Sequence, residues 1–350
     1  MIYGEELGAG GISTKTIPPQ GLNLTLKGGN GKIDCTFTGI TSQWLYLGQY
    51  YRLIAKPGSA PTSPMDGVQV KDVQVGAIGD AVISASIEGL TNGVQYYVRL
   101  YVRGDNGWQT SVDAVGTATP LAGIEISALA VGNEVKLNLG GVPYNHLVVH
   151  HGNPDPTKYV MPGSSAWLLI KDIYEQTSWT YSAFMNYPTG AAQTYIDGTY
   201  FNLFDAGIQS QAVEVKIPYY APSGSSSGTD HYRENGALVR SFLLSYEELG
   251  VNASAIYGDN GTKLDYFSGE GSSAANDIRV AKYNGTAGDY FTRTPAYRTV
   301  HYIYKNGSAG SINATSNPTT KGIRPAFILP SDFLLNPEPN ADGSYSPLAA

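Results

Sequence analysis

The chain has 350 residues, 15% of them charged, and a formal net charge of −7. That length exceeds one ordinary domain and predicts two or three. The acidic balance and the lack of a basic block exclude a nucleic-acid partner, and no segment is long and apolar enough to insert into a membrane as a spanning helix.

The 42 glycines and 20 prolines demand many turns. Helix-forming runs of Ala, Glu, Lys and Leu are missing, so the composition predicts a β-rich protein with extended loops. Cys35 is the single cysteine. An intrachain disulfide and a Cys-based zinc site are thereby excluded, and folding in a reducing cytoplasm fits. The 26 tyrosines suit strands, where aromatic side chains are favoured, and a minority of them suit recognition.

In chain order, residues 1–20 are Gly-rich, end in "IPPQ" and predict an N-terminal arm. They show no basic start followed by an apolar run, so no secretory signal is expected. Residues 21–120 read as short alternating strands between Gly, Asn and Pro turns. Within them, "GLTNGVQYYVRLYVRGDNGW" places Tyr96 six residues after Leu90, with Val98, Leu100 and Val102 alternating inward. Residues 121–143 predict a β connector, with Gly132-Asn133 as a hairpin turn. From 144 the chain changes character. A buried strand is expected at Leu147–His150 and an apolar segment at Trp167–Ile170. A short helix is expected over about Tyr200–Gln211, with Phe201, Phe204 and Ile208 on one face. "APSGSSSGT" reads as a loop and "GIRPAFIL" as a closing strand, whose Pro325 implies an edge or a strand start. Residues 336–350 read as a Pro/Asn/Gly-rich tail.

Two resemblances rest on these residues. The Leu90/Tyr96 pattern and the length of 21–120 resemble fibronectin type III domains, in which the matching tyrosine ties a loop to a β-sandwich. "HLVVHHGNP", "AWLLIKDIYE", "VEVKIPYY", "SFLLSYEELG", "LDYFSG", "RVAKYNGTAGDYFTRTP" and "GIRPAFILP" resemble, in order and spacing, the C-type-lectin-like domain of phage and prophage tail proteins. The expected fold is therefore multidomain: an all-β sandwich followed by an α+β lectin-like domain over 144–335. One departure is Thr292, where that family places an apolar residue before the Arg293-Thr294-Pro295 run.

The second resemblance implies a receptor-binding tail protein of a virion. Such a protein recognises a bacterial surface glycan or protein, contacts other tail proteins and self-associates in some assemblies. In some relatives a diversity-generating retroelement rewrites the final segment. Carried onto this chain, the ligand-binding residues would be Arg293, Tyr297, Arg298, Thr299, His301, Tyr302, Tyr304, Asn306, Ser308, Ser311, Asn313, Thr315 and Asn317. Asn306-Gly307 is a strong turn signal, and rigid aromatics among small polar groups suit a binding face. The plainer alternative is an ordinary solvated hairpin.

No enzyme, metal or cofactor is expected. His146 and His150 lie on one strand, where four residues span about 13 Å, too far for one ion. "EPN" at Glu338–Asn340 matches a calcium-lectin tripeptide but falls outside the closing strand. The oxidases that share the lectin-like fold need cysteines which this domain lacks. Glu247-Glu248 point apart in most conformations, which disfavours a glycosidase pair. A structural baseplate or fibre subunit, and more distantly a surface-polysaccharide hydrolase, are the alternative functions.

Overall fold

The computed structural model describes residues 23–37, 50–69, 73–74, 82–104, 107–110, 114–184, 187–222, 228–251, 260–267, 276–296, 298–313 and 318–348. They are predominantly strand and fall into two compact units, Met1–Gly123 and Ile124–Ala350. The expected arm, 1–20, lies outside the described residues.

In the first unit, strands Thr25–Gly29, Lys32–Phe37 and Ile83–Ile87 form a three-stranded antiparallel sheet. Tyr50–Pro57 and Tyr96–Gly104 pair as the centre of a six-stranded sheet. Period-2 alternation drives the packing. Ile33, Cys35 and Phe37 point inward from the first sheet, and Leu53, Ala55, Val98, Leu100 and Val102 from the second, into one buried cluster. The Thr91 N–H donates to the Tyr96 hydroxyl at 3.1 Å, fastening the loop that enters the strand.

The second unit contains two five-stranded sheets. The first runs in the order Glu134–Leu139, Val142–His151, Ser165–Ile170, Pro325–Pro330, Ser241–Leu243, all antiparallel. The second runs Glu175–Trp179, Thr319–Ile323, Tyr290–Ala296, Thr299–Ile303, Ala309–Asn313, with one parallel pairing, Tyr290 to Gly322. The central strands of the first sheet, Ser165–Ile170 and Pro325–Pro330, read as apolar on both faces because both faces are covered. One cluster, with Leu147, Trp167, Leu169, Phe242 and Ile328, also takes in Tyr290 and Ile303 of the second sheet. The far face of the first sheet packs Val148, Leu168 and Phe327 on Tyr200, Phe201, Phe204 and Ile208. The far face of the second packs Phe291, Val300 and Ile323 on Phe184 and Ile196.

Two local expectations are corrected. The hairpin turn is Gly140-Gly141, at φ 60° and 82°, because a tight primed turn needs two residues at positive φ. The expected single helix is instead a π-helical segment Tyr195–Tyr200, a 3-10 turn Phe201–Leu203 and an α-helix Ala206–Gln211, since Phe204 and Asp205 are extended. Phe201, Phe204 and Ile208 are nevertheless all buried. Of the two positions expected for Pro325, the structure gives the strand start: it opens a strand in the interior of its sheet, where the first residue loses little by lacking an N–H.

Candidate binding surface

Thr299–Ile303 and Ala309–Asn313 form a hairpin that continues from Tyr290–Ala296 at the end of the second sheet, and Ala309–Asn313 is a sheet edge. The Asn306-Gly307 turn joins the two strands, with Gly307 at φ 77°. Arg279, buried, donates from Nε to the Gly307 carbonyl at 2.7 Å, and the Asn276 N–H donates to the Asn306 carbonyl at 3.2 Å. The Tyr246 hydroxyl donates to the Tyr302 carbonyl at 3.0 Å and accepts from the Gly310 N–H at 3.1 Å, clasping both strands from beneath.

Under this hairpin lies a buried ion pair. Arg293 and Glu248, 1% and 0% exposed, meet bidentately, with Nη2 to Oε1 at 2.7 Å. Tyr159 donates to Glu248 Oε1 at 2.7 Å and the Ser245 N–H to Oε2 at 3.0 Å. Arg293 also donates to the carbonyls of Asn260 at 2.6 Å and Leu243 at 3.1 Å. Burial works against the guanidinium charge, but the Glu248 carboxylate more than offsets this and holds Arg293 protonated. Burial, reinforced by Glu248, raises the Tyr159 hydroxyl well above its ordinary pKa. The pair fits the rule that buried charge needs an opposite charge and further hydrogen bonds, although Arg293 Nε is buried without a partner among the described residues.

The sequence-predicted residues divide accordingly. Arg293, His301 and Tyr302 are 1%, 1% and 4% exposed, and this corrects the expectation that they face a ligand. The hairpin is covered on both sides: Val300 joins one core cluster and Ile303 another. His301 packs edge-on against Tyr246, with ring centroids 5.2 Å apart, and burial lowers its pKa to about 4. Thr292, the residue departing from the family pattern, is buried and donates to the His301 carbonyl at 3.3 Å, which satisfies its hydroxyl. Arg298, Tyr304, Asn306, Ser311 and Asn313 are exposed, and Thr299 and Ser308 are half-buried. Tyr297, Thr315 and Asn317 lie outside the described residues. Sequence reasoning missed Ile312, 40% exposed on the edge strand, and Lys321, whose ammonium lies 4.0 Å from the Tyr302 ring centroid and 2.6 Å from Asp289. Lys321 belongs to the strand that follows, so only tertiary pairing brings it here.

Other candidates settle into structural roles. His146 is fully buried between Phe204 and Phe327, and burial lowers its pKa to about 4. His150 Nδ1 lies 2.8 Å from Asp265. Asn340 of "EPN" donates to the Ser344 and Ser346 hydroxyls, both at 3.0 Å, within the tail's own turn. Among the described residues no three His, Cys, Asp or Glu side chains gather as a metal site.

Residues 164–331 match the model of a domain of unknown function, DUF6273. That span begins one residue before the strand Ser165–Ile170 and closes just after Pro325–Pro330, so it contains the ion pair and the whole hairpin. No curated protein and no solved structure matches the chain.

Proposed function

We propose that this protein is a receptor-binding subunit of a phage tail, in which the second unit recognises a bacterial surface ligand and the first acts as a spacer. The observation that carries the reading is the contrast across one hairpin. Its inner residues are locked by the Arg293–Glu248 pair, Arg279 and Tyr246. Its outer residues Tyr304, Ser311, Ile312 and Asn313 stand exposed along a sheet edge. A rigid base under adaptable polar and aromatic side chains is what a binding face needs. The lectin-like reading of the second unit is supported by its two sheets and short helical segment. The fibronectin-type reading of the first is supported by its two facing sheets and the Tyr96 tie. Diversification by a retroelement would act on the exposed positions and spare Arg293, His301 and Tyr302. Recognition without turnover is the favoured mode, because Glu248 is committed to Arg293, Tyr159 and Ser245.

The test is adsorption of the full chain to candidate host cells. Tyr304→Ala with Asn313→Ala should weaken cell binding about thirtyfold, the value of one aromatic anchor. The melting temperature should hardly change. Undiminished adsorption would remove this edge from the binding site.

A further inference from the structure

At the opposite edge of the second sheet, four tyrosines and a carboxylate converge. Tyr144 lies on Val142–His151, Tyr174 and Glu175 at the start of the edge strand Glu175–Trp179, and Tyr195 and Tyr200 on the π-helical segment. The Tyr144 and Tyr174 rings are 5.5 Å apart and the Tyr174 and Tyr200 rings 5.0 Å, both edge to face. The Tyr195 hydroxyl donates to Glu175. Tyr144, Tyr174, Tyr195 and Glu175 are half-buried. Tyr200 is fully buried, and its hydroxyl has no hydrogen-bond partner among the described residues.

Two features set this cluster apart from ordinary core. A buried hydroxyl without a partner is rare and calls for an explanation. The backbone is also special: residues five apart on an α-helix point about 140° away from one another. A π-turn, with its i→i+5 bonding, brings them onto one side, and such turns recur at functional sites. Tyr195 and Tyr200 are five apart and both reach this cluster. Burial, then Tyr174 and Tyr144, push the Tyr200 hydroxyl well above its ordinary pKa. Burial, then Glu175, raise Tyr174 and Tyr195 as well. The Tyr174 and Tyr200 phenols are therefore neutral and can both donate and accept, while Tyr195 donates to Glu175 and is left to accept.

We propose that this cluster is a binding site for a neutral sugar residue, separate from the strand edge at 309–313. A sugar offers hydroxyls that donate and accept in turn, and C–H faces that pack on tyrosine rings. An anion would meet Glu175, and the nearby Lys171 is already engaged by Glu134 at 2.5 Å. A cation would suit Glu175 and the rings but accepts no hydrogen bond from the half-buried phenols.

The experiment is ligand-detected saturation-transfer NMR on the full chain, with methyl glycosides of glucose, galactose and N-acetylglucosamine. Choline chloride and sodium phosphate serve as the charged arms. The expected result is transfer to the ring protons of at least one glycoside. Tyr174→Phe should weaken it about three- to tenfold, the value of one hydrogen bond. The combined Tyr144→Phe, Tyr174→Phe, Tyr195→Phe variant, which keeps every ring, should abolish it at an unchanged melting temperature. Transfer to none of the glycosides, transfer undiminished in the triple variant, or binding of choline or phosphate in their place would each overturn the proposal. The Tyr304→Ala, Asn313→Ala variant should keep the glycoside signal, so this site and the adsorption surface can fail independently.

Discussion

Arg279, Arg293 and Arg324 are each no more than 2% exposed, and each is buried for a different reason. Arg293 pairs with Glu248, Arg279 holds a turn, and Arg324 donates to the Ile170 carbonyl at 3.0 Å and to the Tyr290 hydroxyl at 3.3 Å. In "GIRPAFIL" the apolar neighbours of Arg324 leave no room for a solvated charge, which marks it as scaffold, and Asp172 and Glu175 of "IKDIYE" are carboxylates that it could pair with. The structure gives Asp172 to the Lys282 N–H and Glu175 to Tyr195, leaving Arg324 a strand carbonyl and a phenol. Arg293 was misread because "TRTP" carries no periodicity that separates a buried arginine from an exposed one. Arg293→Ala should destabilise the second unit by about 3–5 kcal/mol, since it strands Glu248 in the interior. Urea unfolding measures this, and a loss under about 1 kcal/mol would contradict the pairing. The buried histidines give a pH prediction. His146 and His301 drop from 6.5 to about 4, so above 6.5 both are neutral, folded or unfolded, and contribute no slope. Between 6.5 and 4 the unfolded chain takes up protons that the folded chain refuses, and stability falls as pH falls. The loss should reach on the order of 3 kcal/mol per histidine. NMR titration of the two imidazoles checks the cause directly: midpoints near 6.5 would refute it.

The hairpin 299–313 shows what local pattern conveys about an element and what it omits. Asn306-Gly307 announced the turn, and the strands pair around it, Ile303 with Ala309 and Thr299 with Asn313. The alternation of Val300, Tyr302 and Tyr304 against Thr299, His301 and Ile303 was also legible. Burial was not, because a strand covered on both faces carries no polar side to betray it, and its cover comes from distant segments such as Tyr246 and Phe184. The π-turn at Tyr195–Tyr200 was equally hidden, since the 3.6-residue period fitted Phe201, Phe204 and Ile208 well enough to suggest one continuous helix. The turn itself is tightly docked. A Cβ at Gly307 would sit 1.9 Å from the Asn276 carbonyl oxygen, at a φ of 77° that side chains rarely adopt. Gly307→Ala should therefore cost more than about 1 kcal/mol and loosen the edge strand. Hydrogen exchange at Gly310 and Tyr304 reads the loosening, and unchanged protection there would show that the turn is not what anchors the strand.

At the scale of the molecule, the sequence reads as a sandwich over 21–120, a connector over 121–143 and a change of character from 144, whereas the structure divides the chain once, between Gly123 and Ile124. What sequence could not convey is how far the second unit reaches at both ends. The residues read as a connector are paired with the end of the span read as lectin-like and with the tail. Ile124–Glu125 pairs with Leu334–Leu335, the Ile126 N–H donates to the Phe333 carbonyl at 2.8 Å, and the Lys136 N–H donates to the Tyr345 carbonyl at 2.7 Å. Ile126, Leu129, Val135, Leu137 and Leu139, all from the supposed connector, are buried in the same cluster as Phe327 and Leu335. Glu134–Leu139 is moreover the outermost strand of the first sheet, so its loss would bare the edge of Val142–His151. Such an exposed, apolar edge invites association. A fragment of residues 124–350 should therefore fold alone, whereas 144–335, the span that motif resemblance suggests, should not. Five buried aliphatic side chains, each contributing on the order of 1.5–3 kcal/mol of burial, exceed the margin by which a domain of this kind is stable. Expression of both fragments, followed by thermal melts and size-exclusion chromatography, decides the point. A cooperative melt and a monomeric peak for 144–335, matching those of 124–350, would show that the flanking strands decorate the domain without holding it together.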